Sequence, residues 1–200
     1  MKVLLSNKYT DILNGIPELI EKELSNCQEY QEIKNLIFIT DNEYFSELKT
    51  KIKTPSYLDG FACNIGKYNF AERNVPSCHI IILNIANIKK AELSVNELIA
   101  VILHELGHIL NSFYSDNYNY FIYARVNGIE HKQIVVESDF KMECEYYADF
   151  FVKEHGFKDS LIGALNKSDE KIYNQSTKQV RYRKNKLNSE ELFKGQIRGL

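Results

Sequence analysis

Apolar residues fall into short runs in the first half of the chain and into helical stripes in the second. Pro17 to Cys27 (PELIEKELSNC) repeats its apolar residues at helical intervals and carries proline in the first turn, where a missing N–H costs nothing. Asn35 to Thr40 (NLIFIT) has the length and apolarity of a buried strand, and Asn42 to Ile52 returns to the helical period. Tyr57 to Ile65 (YLDGFACNI) and His79 to Ile85 (HIIILNI) are further strands, joined by a polar loop that holds Pro76. Together these elements predict a small mixed sheet with helices against it.

The second half opens on Leu93-Ser94-Val95-Asn96-Glu97-Leu98, in which Ser94 and Glu97 have the spacing of a capping box and Leu93 and Leu98 that of a hydrophobic staple. From Val95 to Leu110 apolar residues cover nearly every face, the pattern of a helix buried inside a domain. Asn111 to Tyr120 is rich in Tyr and Asn and reads as loop. Asn127-Gly128, between YFIYARV and IEHKQIVV, marks a two-residue hairpin turn, with a helix through Ile134 to Glu137 as the alternative. A second long helix runs from about Ser138 to Glu154 and closes at His155-Gly156, with Gly156 as its C′ residue. Lys158 to Leu200 is helical and partly exposed around Leu161, Ile162, Leu165, Ile172 and Leu187. Three prolines and nine glycines leave no long linker. The expectation is a single α+β domain over residues 1–200, with the sheet in about 1–92 and a helical half in about 93–200.

Composition adds exclusions. At 200 residues, 44% hydrophobic and 26% charged, the chain has ordinary globular usage. The 25 Lys and Arg against 27 Asp and Glu lack the basic excess on which nucleic-acid and membrane-surface binders depend. No apolar run approaches the ~18 residues that span a bilayer, and the N-terminal run is too short for a signal peptide, so no membrane insertion and a cytoplasmic location are expected. Cys27, Cys63, Cys78 and Cys144 form no CxxC pair and read as free, small buried hydrophobes in a reducing compartment. Lys178, Arg181, Arg183, Lys184 and Lys186 read as one solvated basic helix face.

The chemistry lies on the buried helix. His104-Glu105-Leu106-Gly107-His108 is HExxH, which puts two imidazoles on one helix face a turn apart, able to share one tetrahedral Zn2+ per chain. Glu105, offset by one residue, stands beside that ion as general base toward a metal-activated water. A chance HExxH in a chain of this composition has an expected count on the order of 0.01. No third histidine follows in Ile109 to Tyr114, so the remaining ligand comes from further along. Phe140, Cys144, Tyr147, Ala148 and Phe151 form the apolar stripe of the second helix, and Glu145 borders it with Asp149 one turn later. Glu143 lies about 200° round from Glu145, so only one of them faces the metal; the stripe favours Glu145 as ligand and Asp149 as the acceptor that orients a ligand histidine. Gly107 and Ala148 are small enough to let the two helices approach. Water attack on a peptide carbonyl also needs an oxyanion stabiliser, for which His131, His155, Tyr147 and Arg183 are candidates. An edge strand of the sheet would offer an extended peptide a place to pair.

HELGH followed by a distant ExxAD helix resembles the gluzincin metallopeptidases, in particular the HtpX-like and CAAX-processing peptidase group. The run Leu93 to His108 is similar to that group's zinc helix, Glu145-Tyr146-Tyr147-Ala148-Asp149 to its third-ligand helix, and Gly156 to Leu165 to its next element. The resemblance implies a zincin-like fold and a zinc endopeptidase acting on a protein or peptide, with His104, His108 and Glu145 as ligands, Glu105 as base and Asp149 behind a ligand histidine. It covers His79 to Leu165. The transmembrane helices of the membrane-embedded members are missing here, and Ser176-Thr177-Lys178 stands where the group has His-Pro, with Arg183 and Leu187 at a similar spacing. A second resemblance is to the ImmA/IrrE-type regulatory peptidases, which implies cleavage of one repressor-type protein. A metal-stabilised binding protein without turnover is the reading of a different class.

Overall fold

The structure is a computed structural model and describes residues 3–5, 15, 18, 20–22, 36–41, 60–70, 75–112, 121–126, 129–134 and 137–189. Its architecture is α+β. Four strands, β1 (Val3–Leu5), β2 (Leu36–Asp41), β3 (Ala62–Phe70) and β4 (Val75–Leu83), form a sheet in the order β1-β2-β4-β3. β1, β2 and β4 run parallel, and β3 pairs antiparallel with β4. Ile80, Ile81, Ile82 and Leu83 of β4 are each 0% exposed, which explains why this run is continuously apolar instead of alternating.

The strand boundaries differ from those expected at two places. Pro76 lies inside β4 and not in a loop. Its missing N–H does little harm there, because β2 pairs only from Cys78 onward and the β3 register shifts between Tyr68 and Phe70. β4 ends at Leu83, and Ile85 instead begins a short helix, α1 (Ile85–Lys90), capped by Asn84, whose Oδ1 accepts from the Asn87 N–H at 3.1 Å. The expected helix at Asn42 to Ile52 lies outside the described residues. Of Pro17 to Cys27, residues 18 and 20–22 are described and helical, and Ile20 is fully buried.

The long helix α2 (Val95–Ser112) runs through the core. Leu98, Ile99, Ala100, Ile102, Leu103, Leu106 and Ile109 are all at most 2% exposed and share one cluster with Ile81, Leu83 and Phe151. Burial on this scale, at roughly 1.5–3 kcal/mol per large aliphatic side chain, fixes the helix far more firmly than its propensity does. Its start matches the capping-box expectation: Ser94 N–H donates to Glu97 Oε2 at 2.6 Å, and Glu97 N–H donates to Ser94 Oγ at 3.3 Å. A hairpin follows, β5 (Phe121–Val126) and β6 (Ile129–Ile134), with Val126 opposite Ile129 as expected from Asn127-Gly128.

The second long helix, α3 (Glu137–Glu154), ends in a Schellman motif. Gly156 sits at φ +80°, its N–H reaches Lys153 O at 3.0 Å, and Phe157 N–H reaches Val152 O at 3.1 Å. α2 and α3 pack backbone to backbone at Gly107, where a Cβ would lie 2.9 Å from Ala148 Cα. The C-terminal part is two helices, α4 (Lys158–Lys167) and α5 (Lys178–Asn188), separated by a π-helical turn (Ser168–Tyr173). α4 is held to the first turn of α2: Lys167 Nζ pairs with Glu97 Oε2 at 2.7 Å, and a Cβ on Gly163 would lie 2.7 Å from Glu97 Oε1.

Candidate metal centre

On α2, a rotation of about 100° per residue brings Val101, His104, Glu105 and His108 onto one stripe, and all four line a single cavity of about 530 Å³. The His104 and His108 rings meet edge to face with centroids 4.6 Å apart and their Nε2 atoms 3.1 Å apart. Glu145 enters from α3, because the close approach at Gly107 and Ala148 brings its carboxylate to both rings. Oε2 lies 3.4 Å from His104 Nε2, and Oε1 lies 3.5 Å from His108 Nε2. Two donors at ~2.0–2.1 Å from a tetrahedral zinc are ~3.3 Å from each other; the two imidazole nitrogens have about that spacing, and one donor atom from each of the three residues lies within 4.8 Å of the others, so the group could hold one shared ion. His104, His108 and Glu145 form the one such group found among the described residues.

Behind the cluster, Asp149 is 0% exposed and its Oδ1 lies 2.9 Å from His104 Nδ1. The same carboxylate accepts from Arg183, at 2.8 Å from Nε and 2.5 Å from Nη2. Arg183 Nη1 also lies 3.0 Å from Glu145 Oε2. This guanidinium is 9% exposed, so it does not belong to the solvated basic face expected of its neighbours. Val180, Arg183 and Leu187 are the buried residues of α5, spaced as one face turned toward α3.

Charge in this cluster is strongly coupled. Burial and the Arg183 charge oppose protonation of His104, but hydrogen bonds to Asp149 and Glu145 prevail and raise its pKa to about 9. For Glu145, burial favours the neutral acid, while hydrogen bonds from His104 and His108 and the Arg183 charge hold the carboxyl far below the usual range. Asp149 is likewise depressed: burial works against its charge, and Arg183 and His104 outweigh it. Arg183 is raised by Asp149 despite its own burial. Cys63 of β3, on the cavity wall, is pushed up to about 12 by burial and by the Glu105 charge, so its thiol stays protonated.

Glu105 is 8% exposed and has no hydrogen bond or salt bridge among the described residues. Of the four expected oxyanion stabilisers, Arg183 lines the cavity with its donors engaged by two carboxylates. His155 sits beyond the end of α3, ten residues and so roughly 15 Å along the axis from Glu145, with its ring centroid 4.4 Å from that of Phe151. That distance takes it out of reach. The side chains of His131, Tyr147 and Glu143 lie outside the described residues. Tyr173 and Gln179 also line the cavity, and periodicity gave no sign of either. The π-helical turn brings Tyr173 round to the cavity wall that Ser168 faces, and Thr177 caps α5 by accepting from Val180 N–H at 3.2 Å, which sets Gln179 at the rim.

Comparison of the chain with protein-family models, with curated proteins and with solved structures gives no match.

Proposed function

We propose that this protein is a zinc-dependent metalloendopeptidase on a zincin-like α+β scaffold, in which His104, His108 and Glu145 hold one zinc ion and Glu105 is the general base. The observation that carries the reading is the pair of imidazole nitrogens 3.1 Å apart, with one carboxylate oxygen of Glu145 3.4 Å from the first and its other oxygen 3.5 Å from the second, beside a carboxylate on the same helix stripe that has no hydrogen bond among the described residues. Zinc held there would supply Lewis-acid activation of water and polarisation of a peptide carbonyl.

The surrounding residues have coherent parts in that chemistry. Asp149 engages His104 Nδ1 and so leaves Nε2 as the ligating nitrogen. Arg183 ties the ligand Glu145 to Asp149 and balances their charge: a divalent ion and one guanidinium match the three carboxylates Glu105, Glu145 and Asp149. Glu105, with no hydrogen bond among the described residues, takes the proton of the attacking water and delivers it to the leaving amine. Among the described residues β3 is the last strand of its sheet, and Ala62 and Cys63 at its start, with Phe61 just before them, line the cavity, which supports binding of an extended peptide along this edge.

The test is Glu105→Gln. The variant should retain about one zinc per chain by metal analysis and lose peptide cleavage by about 10²–10⁴-fold. Unchanged cleavage removes Glu105 from the base role, and a zinc-loaded native chain that hydrolyses nothing in a broad peptide library turns the reading toward a metal-stabilised binding protein.

A further inference from the structure

Residues 171–189 carry six Lys or Arg and no Asp or Glu, in a chain that has 25 of the first kind against 27 of the second. Apart from the buried Arg183, these cations lie on or just before α5: Lys171, Lys178 and Arg181 are exposed, and Lys184 and Lys186 are half-buried. None of these five meets a carboxylate within salt-bridge distance among the described residues. Lys184 reaches Asn166 Oδ1, and Lys186 lies over the rings of Tyr146 and Tyr182 at 5.1 and 5.7 Å. The placement works against the helix itself. Lys178 and Arg181 fall in the first turn, at the positive end of the helix dipole, with no acidic residue there. Lys178, Arg181 and Lys184 also follow one another at intervals of three along a single ridge, where like charges repel. Lys178 stands between Thr177 and Gln179, both on the cavity wall, and Arg181 is roughly 3 Å of helix rise beyond Gln179.

We infer that this face of α5 is a docking rim for an acidic stretch of the polypeptide whose neighbouring residues enter the cavity. The inference rests on the peptidase reading above and adds a substrate class: chains with a run of Asp or Glu a few residues from the scissile bond. Charge complementarity selects the occupant. Carboxylates would meet cations that have none among the described residues, relieve the repulsion along the ridge and complement the helix dipole. Length agrees with a short segment, since Lys178 to Lys186 rises about 12 Å, the span of three to four extended residues. A polynucleotide suits this surface less well. Its charge continues past that length, while Asp169 and the exposed Glu170 line a depression together with Lys184 and bound the rim on that side. The net charge of −2 over the whole chain adds no long-range attraction for it.

Fluorescence anisotropy on the native chain tests this without requiring turnover. The labelled peptides share one neutral central sequence and carry four glutamates on its N-terminal side, four on its C-terminal side, four lysines on either side, or no charge. One of the glutamate peptides should bind about tenfold more tightly than the neutral one at ~50 mM salt, with the lysine peptides weakest, and the advantage should shrink to within about twofold at ~1 M salt. Lys178→Glu combined with Arg181→Glu should turn the ranking toward the lysine peptides, while zinc uptake in equilibrium dialysis stays unchanged because neither residue belongs to the metal cluster. Equal binding of glutamate and neutral peptides by the native chain overturns the rim. So does a single-stranded oligonucleotide of equal charge that binds more tightly than every glutamate peptide. Incubating the same peptides with the zinc-loaded chain separates the two proposals. An acidic preference in binding without hydrolysis keeps the rim and removes the peptidase reading, whereas hydrolysis without an acidic preference keeps the peptidase and removes the rim. The ranking on the native chain decides the matter even if the variant does not fold.

Discussion

Glu97 and Glu105 stand on the same helix and are almost equally withdrawn from water, at 9% and 8% exposure, yet their surroundings treat them in opposite ways. At the first turn of α2, Glu97 accepts from the Ser94 N–H and from Lys167, so both the helix end and the carboxylate are satisfied. At mid-helix, Glu105 has neither hydrogen bond nor salt bridge among the described residues and faces the cavity. A buried charge with partners is a structural element. A carboxylate that lines a cavity with no hydrogen bond of its own is left able to act on what enters there, as function requires. Arg183 belongs with Glu97 in this respect, since its bidentate pairing with Asp149 satisfies both groups while also reaching the metal cluster.

The largest effect should come from taking apart that deepest pair. Arg183→Met leaves the fully buried Asp149 with His104 as its remaining partner, and urea unfolding should show a loss of about 3 kcal/mol. Zinc affinity should fall about 10–100-fold as Asp149 and Glu145 lose their common tether, and Arg183→Lys should recover only part of it. An Arg183→Met chain as stable as the native one would mean that the pair contributes no fixed geometry.

A smaller effect separates the two glutamates. Glu97→Gln weakens the capping box and removes the charged partner of Lys167, which keeps its bond to the Glu92 carbonyl, for a loss of about 1–3 kcal/mol. Glu105→Gln, measured on zinc-free protein, should cost little or nothing, because it removes no hydrogen bond among the described residues. The pH dependence follows from the same contrast. Burial favours the neutral form of Glu97, but the Lys167 and Ser94 bonds prevail and hold its carboxyl below the ordinary 4.5. Its folded value is therefore the depressed one. The contribution is fully present above pH 4.5 and is lost as pH falls through the lower folded value, so the native chain and Glu97→Gln should converge in stability on acidification. Equal losses for the two glutamine variants would erase the distinction drawn between the two sites.

What could be read from the sequence was whatever depends on near neighbours. The capping box at Ser94 and Glu97, the histidines of HExxH on one face, the Asn127-Gly128 hairpin and the Gly156 helix end each need only a few consecutive residues, and the structure has them as read. The pairing of Glu145 with the histidines was within reach too, because the apolar stripe of α3 fixed which side of that helix turns inward. Arg183, which its basic neighbours place on a solvated face, is buried in the structure. Four other cations surround it in sequence, and the partner that draws it inward, Asp149, is 34 residues upstream. The spacing of Val180, Arg183 and Leu187 did carry the information, since an arginine in register with two aliphatic residues lies on the buried face. Pro76 in β4 and the cavity position of Tyr173 left no local trace. The first depends on where β2 stops pairing, and the second on a π-helical turn that no short motif announces.

Calorimetric zinc titration of the native chain, run near pH 8 in two buffers of different protonation enthalpy, tests the central claim most directly. His104 carries a proton in the metal-free protein up to about pH 9, and its nitrogen must release that proton to ligate. One zinc per chain should therefore bind with release of about one proton, and apparent affinity should rise with pH until about 9. Glu145→Ala should lower the affinity sharply, whereas Glu143→Ala should leave it unchanged. A chain that takes up no zinc, or that binds it equally well without Glu145, contradicts the metal centre described here.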